Sequence, residues 1–278
     1  MVTGQVEGSN TSFKIDTVAQ QTALTPETAV LLARMGGGAA SIRGGGSAGS
    51  AGAKPVQNSD VFAEISLGKA DFQRQVPVAN IIGAGGVIGG DLLSDHDLEL
   101  DLPDHRVRLW RASGCKLADL PWTSPYDAVP VKITGAELLR VPVTLNGQKV
   151  EAVLDSAAPV SLIQTGTAQR LGVTSSELGS DARVAVHHAG RGPTPARMHR
   201  FDMLTIGQEQ VRNPLIGVAN FQPATGELVL GLDYLRDHRV WVSYRTGQLF
   251  IQATQPGAMA DREIGLSRDP KIASDGKR

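Results

Sequence analysis

The feature that most constrains this fold is a repeat inside the chain. Residues 87–110 (VIGGDLLSDHDLELDLPDHRVRLW) and 229–252 (VLGLDYLRDHRVWVSYRTGQLFIQ) align without a gap. Gly89, Asp91, Leu93, Asp95 and His96 recur 142 positions on, as Gly231, Asp233, Leu235, Asp237 and His238. Leu98, Leu100, Val107 and Leu109 match Val240, Val242, Leu249 and Ile251. Each copy reads as a short helix followed by two strands with alternating apolar positions. A second pair lies upstream. Residues 13–24 (FKIDTVAQQTAL) match 152–163 (AVLDSAAPVSLI), with Asp16 and Asp155 139 positions apart. Each aspartate ends a strand and is followed by a hydroxyl residue, Thr17 or Ser156, and by a second hydroxyl, Thr22 or Ser161, six positions on. The same order at nearly the same spacing implies two copies of one unit of roughly 110–125 residues, the size of a small domain.

The remaining sequence fits that division. A first lobe spans 1–111, a linker 112–128, a second lobe 129–252 and a loose tail 253–278. Hairpins are expected around SNTS (residues 9–12) in the first lobe and NGQ (residues 146–148) in the second. Helices are expected over residues 26–34 and 165–171 and after the two repeated glycines. The class is mostly β. The linker is proline-rich and holds the lone cysteine, Cys115, which reads as a bystander. One cysteine excludes an internal disulfide and a cysteine-rich metal site.

Charge narrows the partners. Lys and Arg number 27 against 28 Asp and Glu, so the net charge is −1 and a generic nucleic-acid surface is excluded. No apolar run approaches the ~20 residues needed to span a bilayer. No signal peptide is visible at the first residue, so the compartment stays open: periplasmic or secreted if a leader was removed, otherwise cytoplasmic.

Paired aspartates carry the chemistry. If the two copies pack about a pseudo-two-fold axis, Asp16 and Asp155 meet near it. Two adjacent carboxylates cannot both ionise freely, so they share a proton. Such a pair can hold a water, take its proton and protonate a carbonyl oxygen.

These residues resemble the aspartic proteases of the pepsin and retropepsin type, and bacterial retropepsin-like proteins in particular, here in tandem. The family's Asp-Thr/Ser-Gly element corresponds to Asp16-Thr17-Val18 and Asp155-Ser156-Ala157. Its later pair of hydrophobic residues before a glycine corresponds to Val87-Ile88-Gly89 and Val229-Leu230-Gly231. The resemblance implies a bilobal acid-protease fold of two retropepsin-like β-barrel lobes. It implies that Asp16 and Asp155 are the catalytic pair. Thr17 and Ser156 would bond across the axis, and Ala19 and Ala158 would continue the turns. It further implies an extended peptide or protein substrate and a monomer acting as an intramolecular pseudo-dimer; no cofactor is expected, and no metal, because neither the lone cysteine nor the six histidines offer a ligand spacing. Residues 36–52, rich in glycine, and 187–197 are the flap candidates.

The sequence departs from the family at Val18 and Ala157, where glycine is usual. Either an altered turn or a narrowed cleft follows from the added side chains. The alternative function is therefore a protease-like protein that binds or scaffolds an extended peptide without cutting it. Asp91 and Asp233 read as structural groups near a helix start. Residues 83–89 (GAGGVIG) fail the dinucleotide-binding spacing, because Ile88 stands where the third glycine belongs. His187-His188 has no metal-ligand spacing, and Ser161 lacks a nucleophile-elbow context.

Overall fold

The computed structural model describes residues 1–34, 60–111, 120–123, 125–135, 138–186, 193–221 and 226–254. The first lobe contains β1 (Val2–Val6), β2 (Ser9–Ile15), β3 (Ala23–Leu24), α1 (Pro26–Arg34), β4 (Asp60–Leu67), β5 (Ala70–Pro77) and β6 (Gly86–Ile88). There follow α2 (Gly90–Leu93), β7 (His96–Asp101), β8 (Arg106–Arg111) and β9 (Asp127–Pro130). The second lobe contains β10 (Lys132–Thr134), β11 (Leu138–Leu145), β12 (Gln148–Leu154), β13 (Leu162–Gln164), α3 (Thr165–Arg170), α4 (Ser175–Ser180), β14 (Ala182–Val186), β15 (Thr194–Arg200), β16 (Met203–Ile206), β17 (Glu209–Arg212), β18 (Leu215–Ala219) and β19 (Leu228–Leu230). The elements end with α5 (Leu232–Leu235), β20 (His238–Ser243) and β21 (Gln248–Ala253).

Three sheets result. The first lobe forms the order β3-β6-β2-β1-β4-β5, and the second β14-β15-β18-β13-β19-β12-β11-β16-β17, with β10 on β11. In both lobes the strand ending at the aspartate pairs in parallel with the strand ending before the repeated glycine: β2 with β6 and β12 with β19. The third sheet, β8-β7-β20-β21-β9, takes strands from both halves. Its centre reports the symmetry. Leu98 faces Val242, Leu100 faces Val240, and Glu99 faces Trp241. In the repeat Leu98 matches Val240 and Leu100 matches Val242, so the pairs are reciprocal, as at a two-fold interface. The pseudo-two-fold axis passes through the Glu99–Trp241 pair. The fold is thus mostly β, with two large sheets and a third that both halves of the chain share.

The alternation seen in the sequence positions this sheet. Leu98, Leu100, Val240, Val242, Leu249 and Ile251 face one core cluster that also holds residues of both lobes. The opposite face carries Glu99, Trp110, Trp241 and Phe250, with Trp122 laid over it.

Three local readings change. The first hairpin turns at Glu7-Gly8, both left-handed (φ 47° and 76°), and SNTS belongs to β2. Two consecutive positive φ values define the tight turn whose twist suits a hairpin, and a sequence scan for asparagine misplaces it. The second hairpin turns at Asn146-Gly147 as expected. The last two residues of the segment read as linker, Asp127 and Ala128, join Val129 and Pro130 in β9, which pairs with β21 and buries Val129. Most of that segment, Cys115, the 36–52 flap candidate and the tail from 255 lie outside the described residues. So does 187–192 of the second flap candidate, whose remainder begins β15. α4 was not expected, although Thr174 and Glu177 form a reciprocal capping box at its start.

Candidate active site

Asp16 and Asp155 each stand one residue past a strand that is held on both sides. The Asp16 amide donates to the Ile88 carbonyl at 3.0 Å, and the Asp155 amide to the Leu230 carbonyl at 2.9 Å. The chain then turns back on the carboxylate. Asp16 Oδ1 accepts from the amides of Val18 and Ala19, both at 2.9 Å. Asp155 Oδ1 accepts from those of Ala157 at 2.8 Å and Ala158 at 2.9 Å. Each carboxylate therefore has one oxygen committed to its own turn. Neither Val18 nor Ala157 has a positive φ, so the turn forms without the backbone freedom of glycine.

The two turns are tied to each other by four hydrogen bonds. The Thr17 amide donates to Ser156 Oγ at 3.2 Å, and the Ser156 amide to Thr17 Oγ1 at 3.2 Å. Each hydroxyl then donates onward across the interface, Thr17 Oγ1 to the Leu154 carbonyl at 2.5 Å and Ser156 Oγ to the Ile15 carbonyl at 2.7 Å. Both hydroxyls thus act as donor and acceptor at once, which serine and threonine allow and alanine or valine do not. This reciprocity is the second point that the pseudo-two-fold axis crosses.

Electrostatics follow from the packing. Burial pushes the Asp155 carboxyl up, and the negative charge of Asp16 pushes it further, against the opposing pull of the Ala157 and Ala158 amides. The result is a pKa of about 7. A carboxyl that stays protonated to near neutrality beside a second carboxylate has the makings of a proton-sharing pair.

A second ring of bonds holds the turns from behind. Asp91 Oδ1 accepts from both the amide and the hydroxyl of Thr22, each at 2.7 Å. Asp233 accepts from the Ser161 amide at 2.8 Å and hydroxyl at 2.7 Å. The same hydroxyls accept from the Gly89 and Gly231 amides at 3.1 and 3.0 Å. Asp91 and Asp233 are structural, and the residues they hold are Thr22 and Ser161. The shared six-residue spacing after the aspartates was the sequence sign of that role.

The motif Val87, Ile88, Gly89 and its counterpart Val229, Leu230, Gly231 close the arrangement. A side chain at Gly89 would lie 2.8 Å from the Ala19 carbonyl oxygen, and one at Gly231 2.9 Å from that of Ala158. The amides of Gly90 and Leu232 donate to those two carbonyls at 2.8 Å each. Glycine is required here by close approach.

Among the described residues no group of three or more His, Cys, Asp or Glu side chains could hold a metal ion. No helix among them is long and apolar enough to cross a membrane.

Residues 141–234 match the aspartyl protease family model. No curated protein matches the chain significantly. Among solved structures, a retropepsin-like aspartic protease from Rickettsia conorii is similar at 16% identity and a TM-score of 0.37, over 48% of this chain and 95% of that one. Basic 7S globulin from soybean is similar at 11% identity and a TM-score of 0.45, over 89% and 90%. The sequence match lies in the second lobe and contains Asp155, Ser161 and Asp233.

Proposed function

We propose that this protein is a retropepsin-like aspartyl protease that hydrolyses peptide bonds through a water held between Asp16 and Asp155. The observation that carries the reading is the Asp155 carboxyl, raised to about 7 by burial and by the Asp16 charge. One shared proton on the pair leaves one carboxyl to donate to the scissile carbonyl oxygen and one to accept from the attacking water. The proton then returns as the tetrahedral intermediate collapses and the amine leaves. The Thr17–Ser156 bonds keep the two carboxyls in fixed relation, which matters because small misplacements in such sites are costly. The substrate is an extended peptide or protein segment that gains main-chain hydrogen bonds in the cleft between the lobes. Both aspartates come from one chain, so a single copy, with lobes over 1–111 and 129–252, carries a complete site.

The test is cleavage of a denatured protein between pH 3 and 8, with Asp16→Asn and Asp155→Asn as controls. Cleavage is expected from the parent protein, with a loss of at least ~100-fold in either variant. Activity should fall as pH rises through about 7, where the pair loses its shared proton. No cleavage by the parent, or cleavage that survives both substitutions, overturns the reading. Light scattering on the active species should give the mass of one chain.

Val18 and Ala157 favour one second reading, a protein that holds an extended peptide without cutting it. Peptide binding that is equal in the parent and in Asp16→Asn, with no turnover, would establish that reading instead.

A further inference from the structure

The two turns around the aspartates make the same amide-to-carboxylate bonds and differ in side chain. Ala157 presents a single methyl beside Asp155. Val18 presents a branched side chain beside Asp16, and that side chain crosses to the other lobe. It packs, partly exposed, against a buried apolar cluster made of second-lobe residues. The cluster contains the neighbours of Asp155 (Val153, Ala158 and Val160) and residues of β14 and β15 (Val184, Val186, Ala196 and Met198). The pseudo-two-fold axis runs between Val18 and Ala157, so an extended chain lying across the carboxyl pair meets a valine on one side of its central bond and an alanine on the other.

We infer that Val18 determines specificity: it narrows the cleft on one side of the scissile bond and imposes a small side chain there, while the Ala157 side admits a large one. This rests on the reading of Asp16 and Asp155 as the catalytic pair. The stiffness of valine supports it, since a β-branched side chain packed on a buried cluster has few alternative rotamers with which to make room. Both turns avoid left-handed φ and make the same amide-to-carboxylate bonds, so the side chains are the difference that a ligand meets.

The experiment uses peptides in which the scissile amide is replaced by a hydroxyethylene group, carrying alanine or phenylalanine on either side of it. Affinities are measured calorimetrically for the full chain, Val18→Ala and Ala157→Val, with thermal melts confirming that each variant is folded. The parent protein should reject phenylalanine on one side by at least tenfold relative to the other. Val18→Ala should bring that ratio below threefold, and Ala157→Val should impose the same rejection on the opposite side. An unchanged ratio in both variants, an equal effect on both sides, or no binding by any peptide overturns the inference. If Val18→Ala does not fold, the Ala157→Val arm decides. Binding needs no turnover, so selective binding without cleavage of the matching amide peptides overturns the hydrolytic reading alone. Cleavage with unaltered selectivity in the variants overturns this inference alone.

Discussion

A carboxylate held by two backbone amides is ordinarily more acidic than a free one, because both donors favour the ionised form. Asp155 shows burial and a neighbouring negative charge outweighing that pull, and its pKa of about 7 exceeds the ~3.9 of an unfolded aspartate. A pKa raised on folding contributes stability that is complete below the unfolded value and is lost as pH rises through the folded one. Asp155→Asn cannot ionise, so its melting temperature should gain on the parent protein between pH 4 and 8. A difference that stays flat across that range would mean Asp155 is not raised. Thr17 has the opposite character: nearly all its surface is buried, at 1% exposure, and its hydroxyl serves two partners in the other lobe. Thr17→Val keeps the shape and strands the Leu154 carbonyl and the Ser156 amide. A loss of about 2–3 kcal/mol in a denaturant titration is expected.

Short elements here are fixed by close approach more than by propensity. α2 and α5 have four residues each, too few to be stable alone. They form because Gly89 and Gly231 let the chain pass against the aspartate turns and because Thr22–Asp91 and Ser161–Asp233 fasten it there. Gly231→Ala would bring a methyl to 2.7 Å from the Val160 backbone, which must shift with the turn that carries Asp155. The expected cost is about 1–3 kcal/mol, measured by chemical unfolding, with a fall in any proteolytic rate beyond what stability explains. At this scale the sequence was legible where a pattern was local. Alternation placed β7, β8, β20 and β21, and Pro26 with Glu27 marked the start of α1. It failed at β9, a four-residue strand fixed by pairing with β21 and by the burial of Val129. It failed at the first hairpin too, since nothing local announces that Glu7 will adopt a positive φ.

The whole molecule is held together by the sheet that the two halves share. Glu99 sits at its centre with no exposed surface and receives Arg239 and Arg108, together with the indole N–H groups of Trp110 and Trp122. Burial raises its pKa, but Arg239, Trp110 and Arg108 together pull it below the usual carboxylate range. The stability Glu99 adds is therefore fully present above its unfolded pKa of ~4.3 and is lost as pH falls from there through its lowered folded value. Glu99→Ala leaves two arginines without their central partner, and a loss of about 3–5 kcal/mol is expected in equilibrium unfolding. It should also split one cooperative transition into two if this cluster couples the lobes. A single transition with unchanged midpoint would remove Glu99 from that role.

The sequence by itself determined the repeat, the mostly β class, the candidate aspartates and the glycines that follow them. Each is a local pattern, and repetition turns a weak local pattern into a strong one. Only the tertiary structure decided what those residues do to one another. The reciprocal Thr17–Ser156 bonds and the Glu99–Arg239 ion pair join residues 139 and 140 positions apart, and Val18 packs on a cluster that begins with Val153. Spacing along a chain says nothing about which side chain faces the axis. The rise in the Asp155 pKa likewise exists only once folding has removed water and brought in the Asp16 charge.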